Sequence, residues 1–165
     1  MYDNVCKFLA ERFSGDFSEW LLGKSVNMTE IKPTELSLEP IRADSVIFLQ
    51  SDDEILHIEF QTDPDKDIPF RAADYRLRFH RKFPSKEVEQ VVIYLRKTNS
   101  ELVRQDTFRL RNMTHKFNVI RLWEQPTDIF LTLPGLLPFA ALSNAENSAD
   151  VLQQVARVIE EMPNG

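Results

Sequence analysis

Arg42-Ala43-Asp44-Ser45-Val46-Ile47-Phe48 and, after a short gap, Ile55-Leu56-His57-Ile58-Glu59-Phe60-Gln61 decide how this chain folds. The polar Gln50-Ser51-Asp52-Asp53 between them reads as a turn, which predicts a strand pair over Ile41–Leu49 and Glu54–Thr62. Side chains alternate along a strand, so Leu56, Ile58 and Phe60 share one face and His57, Glu59 and Gln61 the other. Downstream, Asp67 stands where it can cap a helix over Ile68–Phe83, with Pro69 in the first turn. Val88–Leu95 is almost continuously apolar and rich in β-branched residues, the pattern of a strand buried on both faces. Strand, helix, strand in this order predicts a βαβ crossover. The chain thus reads as an α/β domain with a mixed central sheet flanked by helices.

The strand pair also carries a chemical signal. With Leu49 opposite Glu54 across the turn, antiparallel pairing sets Asp44 directly opposite Glu59, on one face. Two carboxylates so placed repel each other unless one is protonated or a cation bridges them. Mg²⁺ suits such a pair, because it takes one or two carboxylates and fills its remaining positions with water and phosphate oxygens. A slip of one residue would separate the two carboxylates onto opposite faces. The simpler reading is a pair of solvated acids near strand ends.

Outward from this motif, the helical stretch Tyr2–Leu22 has a break expected at Ser14-Gly15, and residues 23–34 read as irregular. Thr107–Arg111 and Lys116–Trp123 read as two further strands around Asn112-Met113-Thr114. Short helices are expected over Asp128–Leu133 and Gly135–Leu142. Ser148–Met162 is amphipathic, with Leu152, Val155, Ile159 and Met162 along one stripe. Either that stripe packs back on the sheet or the chain is truncated and its partner segment lies beyond Gly165. The 165 residues, 42% hydrophobic and 28% charged, fit one domain over 1–165. They exclude a disordered chain, a collagen and a coiled coil. No apolar run approaches a membrane span and no signal-peptide pattern opens the chain, so a cytoplasmic protein is expected. Cys6 is the sole cysteine, which rules out an internal disulfide and a cysteine-based zinc site; its helical apolar surroundings mark it as core.

Net charge is −6, yet it is unevenly spread. Residues 71–121 hold 13 Lys and Arg against 5 Asp and Glu, between two acidic flanks. Arg71, Tyr75, Arg78 and Lys82 recur at helical spacing on one face, beside a stripe of Ala72, Phe79 and Phe83 expected to pack on the sheet. Arg96, Lys97, Arg104, Arg109, Arg111, Lys116 and Arg121 extend the positive block. Such a block fits contacts to a nucleic-acid backbone, or simply a solvated basic face. Trp123, Pro134, Leu136, Leu137, Pro138 and Phe139 read as core and turn residues; an exposed subset would serve a homodimer.

Asp44 followed by Glu59-Phe60-Gln61 on the next strand resembles the PD-(D/E)xK nuclease core. The surrounding wording is similar to one branch, the recombination-promoting nuclease (Rpn) family, which is transposase-related. The similar pieces are Arg42-Ala43-Asp44, Ile58 to Thr62, Pro69-Phe70-Arg71 with Tyr75, Pro134-Gly135-Leu136-Leu137-Pro138, and Tyr2-Asp3 with Lys7. The resemblance implies a restriction-endonuclease-like fold and hydrolysis of DNA phosphodiesters with Mg²⁺ or Mn²⁺, in recombination or a mobile element. It makes Asp44 and Glu59 metal ligands, with the main-chain carbonyl of Phe60. Asp3 or Glu11 would be a supplementary acid. Arg71 and Tyr75 would steady the substrate, with Arg78 and Lys82 on the same face. Position 61 departs from the superfamily's usual lysine. Glutamine orients a water by hydrogen bonding but carries neither a proton nor a positive charge. The other reading from the same residues is a catalytically silent nuclease-like fold that binds DNA or assembles with protein.

Overall fold

The structure, a computed structural model, describes residues 2–32, 35, 46–144 and 148–161. Its centre is a strand–helix–strand crossover formed by β3 (Glu54–Gln61), α3 (Ile68–Lys82) and β4 (Glu87–Tyr94), with β3 and β4 parallel. Around it stands a five-stranded mixed sheet in the order β1-β2-β3-β4-β7. The antiparallel strands are β1 (Thr29–Glu30) and β2 (Val46–Gln50), and β7 (Asn118–Arg121) runs parallel to β4 at the other edge. Strands β5 (Thr107–Leu110) and β6 (Met113–Lys116) form a separate two-stranded hairpin.

Helices α1 (Tyr2–Arg12), α2 (Ser14–Leu22), α4 (Asp128–Leu131), α5 (Leu137–Ala140) and α6 (Ser148–Glu161) complete the chain. The first break falls at Phe13, one residue before the place read from Ser14-Gly15. Gly23 ends α2 in the left-handed region at φ 73°, and its N–H closes the last turn on Glu19. The segment read as irregular is pinned by serines on α2. Ser14 Oγ donates to the Met28 carbonyl at 3.0 Å, and Ser18 Oγ accepts from the Val26 N–H at 2.7 Å. These bonds deliver the chain into β1, which the sequence reading lacked.

The alternation of β3 divides the protein into two layers. Leu56, Ile58 and Phe60 enter the larger core with Phe17, Phe130 and Phe139, where the Phe60 and Phe139 rings stack at 6.1 Å. Cys6, Ala10 and Val151 belong to this core, with Val155 packed against it, so the described part of α6 folds back onto the domain. Leu136, Leu137 and Phe139 are buried, as read, whereas Pro134 and Pro138 face solvent. On the other face α3 buries Ala72 and Phe79 against the sheet, with Phe83 packed beside them. Among the described residues no helix is long and apolar enough to cross a membrane.

Three expectations are corrected. The β2–β3 register pairs Val46, not Asp44, with Glu59, and Leu49 with Leu56. The Ser51 N–H bonds the Glu54 carbonyl at 2.9 Å and the Ser51 hydroxyl accepts the Glu54 N–H at 3.2 Å, which moves the turn one residue along. Both changes preserve strand parity, so Glu59 keeps its face. Asp67 begins α3 without a side-chain cap; instead Asp65 Oδ1 accepts the Asp67 N–H at 2.9 Å. Finally, Lys116–Trp123 is not one strand. Phe117 is buried and its N–H bonds the Asp106 carbonyl at 3.0 Å, closing the hairpin base before β7 begins.

Gly135 shows how tightly the turn before α5 meets the start of α2. Its N–H donates to Asp16 Oδ2 at 2.7 Å, and a Cβ there would lie 2.3 Å from Phe13 Cβ. Gly135→Ala is therefore expected to destabilise the protein by about 1–3 kcal/mol, read as a lower midpoint in urea unfolding.

Candidate active site

β3 presents His57, Glu59 and Gln61 toward α3, and the parallel register places Gln90 and Tyr94 of β4 beside His57 and Gln61. Glu59 is 1% exposed. Its Oε1 accepts from Arg71 Nη2 at 2.5 Å and from Gln61 Nε2 at 2.8 Å. Arg71 Nη1 donates to Asp65 Oδ2 at 2.7 Å, so one guanidinium bridges two carboxylates. Arg71 reaches both because it stands in the first turn of α3, immediately after the loop that holds Asp65.

Burial pushes the Glu59 carboxyl above the ordinary carboxylate range, against the opposing pull of the Arg71 charge and its hydrogen bond. For Arg71 the balance is reversed: burial disfavours its charge, but Glu59 and Asp65 outweigh that and strengthen its hold on the proton.

The second oxygen, Glu59 Oε2, is buried and has no hydrogen-bond partner among the described residues. The same holds for the Tyr75 and Tyr94 hydroxyls and for His57 Nε2. All four atoms lie between one sheet face and α3. Both phenols are electrostatically tied to Glu59. Burial first, and then the Glu59 charge, raises Tyr75 and pushes Tyr94 up to about 12.

His57 lies deeper along the strand, its ring 5.1 Å from Phe48 and 5.0 Å from Tyr75. Gln90 Nε2 donates to His57 Nδ1 and to the Ala72 carbonyl, each at 2.8 Å. Gln90 Oε1 takes the His115 Nε2 proton at 2.7 Å, which assigns the tautomers of both rings. Burial, then the charges of Arg71 and His115, push His57 down to about 3. It is a packed, neutral histidine on the Glu59 face.

Of the residues singled out from the sequence, Glu59, Gln61 and Arg71 meet directly, and Tyr75 joins them from within the protein. Tyr75 is 1% exposed, so the Arg71–Lys82 row is not one continuous solvated face. Arg78 Nε bonds Asp74 at 3.0 Å, and Lys82 binds the Glu35 carbonyl beyond it. Phe60 turns its ring into the opposite core, so only its main chain adjoins Glu59. Asp44 lies outside the described residues. Glu11 is exposed on α1, whose buried Cys6 and Ala10 belong to the far core. Among the described residues no group of three or more His, Cys, Asp or Glu side chains gathers to hold a metal ion. A cleft of about 820 Å³, lined by Lys24, Ser51, Asp53 and Lys86 among others, lies at the opposite end of β3 from Glu59.

Asp65, Gln90 and Tyr94 escaped the sequence reading. Tyr94 sits inside an apolar run and reads as core; only the β3–β4 register places it beside Gln61. The chain matches no protein-family model, and a search of the curated proteins finds no match.

Proposed function

We propose that this domain is a metal-dependent DNA endonuclease with a restriction-endonuclease-like core, of the kind its motifs resemble, acting in recombination or a mobile element. One observation carries the reading. A carboxylate buried at mid-sheet has one oxygen fixed by Arg71 and Gln61 and the other unclaimed by any described donor.

That unclaimed carboxyl oxygen fits a hard divalent ion. Glu59 through Oε2 and Asp44, two residues before Val46, would hold Mg²⁺ or Mn²⁺, with the Phe60 carbonyl completing the protein's share. When bound, such an ion supplies a Lewis acid and a water of lowered pKa. The chain's own residues do the rest. Arg71 and Gln61 fix the plane of the Glu59 carboxylate. The Gln61 side-chain oxygen would orient a nucleophilic water. Asp65 holds Arg71 on Glu59, and the burial of Tyr75 and Tyr94 keeps bulk water from the Glu59 side of the layer. Tyr75 thereby supports the site from inside, and Arg71 serves Glu59 before it serves a phosphate.

A second reading has its own observation: the Arg71 guanidinium already neutralises Glu59. In that case the fold is a silent binding or assembly module. Calorimetric titration with Mn²⁺ separates the two. The nuclease reading expects binding by the parent and at least a tenfold loss in Asp44→Ala. Because burial raises Glu59, a proton competes for its oxygen, and affinity should fall on acidification at a higher pH than an ordinary carboxylate would allow. A parent that binds no Mn²⁺ and cleaves no nucleic acid leaves the silent module standing.

A further inference from the structure

Several cations of the positive block are already engaged, whereas those of one hairpin are not. Arg71, Arg78 and Lys82 each pair with a carboxylate, as do Arg96, Arg104 and Arg121. Arg109, Arg111 and Lys116, on the β5–β6 hairpin, are exposed, and no ion pair or side-chain hydrogen bond engages them among the described residues. From Thr107 to Trp123 the sequence contains no Asp or Glu, so no acid on the hairpin itself offsets them.

The hairpin is also set apart structurally. It forms its own two-stranded sheet rather than joining the main one. One face lies on α3, where Phe108 meets Phe70 at 5.8 Å, and His115 bonds Gln90 of β4. Register places Arg109 opposite Thr114 and Lys116 opposite Thr107. By strand alternation Arg109 and Lys116 therefore share the other, outward face. Arg111 and Asn112 form the tip between Leu110 and Met113. Leu110, 60% exposed, lies by the same alternation on the Phe108 face.

We infer that the β5–β6 hairpin is a DNA-docking arm that lies in the major groove of duplex DNA, with Arg109, Arg111 and Lys116 on the flanking phosphates. A two-stranded ribbon fits that groove. This rests on the proposal that DNA is the substrate, and it moves the main backbone contact from the α3 row to the hairpin.

The test is fluorescence anisotropy with a labelled duplex of a few helical turns, in Ca²⁺ so that binding is measured without turnover. Arg109→Gln, Arg111→Gln and Lys116→Gln combined should lower affinity roughly 10²-fold at low salt and make the log–log salt dependence shallower by about three. A charge-matched control away from both surfaces, Lys24→Gln, Lys32→Gln and Arg157→Gln combined, should stay within a few-fold of the parent. Thermal melts establish that both variants are folded. Equal losses in the two, or an unchanged hairpin variant beside a parent that binds, would overturn the arm and leave the nuclease reading intact. Duplex binding through the hairpin without metal-dependent cleavage supports the arm and removes the nuclease reading. A parent that binds no duplex at any salt, or only an acidic protein, overturns both.

Discussion

Glu59→Gln is expected to reduce metal-dependent cleavage of duplex DNA on the order of 10³-fold, the scale of removing a group that organises transition-state charge. The exchange keeps the shape of the side chain, and its oxygen can still accept from Arg71. It deletes the negative charge on the oxygen that no described donor claims. Asp44→Ala should match it. Gln61→Ala should lose about 10²-fold, as when a positioned water-handling group is deleted, while Gln61→Lys should retain activity. Turnover at saturating Mg²⁺, with circular dichroism to check folding, decides the matter. Cleavage that persists in EDTA, or a Glu59→Gln protein as fast as the parent, would remove the mechanism.

The second large effect is on stability. Folded His57 holds its proton only near pH 3, while the unfolded chain binds one near the ordinary 6.5. Unfolding therefore takes up a proton throughout that interval, so stability is full above about pH 6.5 and is lost as pH falls toward about 3. At about 1.4 kcal/mol per pH unit the loss is on the order of 4–5 kcal/mol, comparable with the whole stability of many domains. Glu59 acts with the opposite sign: its raised carboxyl costs stability as pH rises through its titration. Urea unfolding from about pH 7 to about pH 4 should thus show a steep decline in the parent. His57→Asn leaves an acceptor for Gln90 and cannot titrate. It should be less stable at neutral pH but much flatter in acid. If both proteins decline in parallel, His57 is not the acid trigger.

The crossover was legible because each of its parts carries an unambiguous local signal: a β-branched strand, a helix opened by Pro69, and a second apolar strand. The Glu59 face was legible for a simpler reason, that strand parity survives a two-residue change in register. The register itself was not, since it depends on the Ser51 hydroxyl choosing the Glu54 N–H. The helix face is not legible at Tyr75, whose polar hydroxyl masks an aromatic ring packed on Phe48. The Arg71–Glu59 bond joins different elements, and no spacing rule announces it. The hairpin boundary turned on Phe117, one buried residue that ends one sheet and lets the chain enter another.

Strand β3 behaves as two interleaved messages written in one stretch of chain. Its even positions from Leu56 to Phe60 answer to volume, since these side chains enter the apolar core and will tolerate exchanges of similar size. Its odd positions from His57 to Gln61 answer to charge and proton count. Sequence drift in one register is therefore nearly invisible to the other, although the residues alternate along the backbone. A lineage could rebuild the large core almost completely and inherit the Glu59 cluster unchanged. It could equally lose that cluster through a single odd-numbered exchange and keep the large core intact.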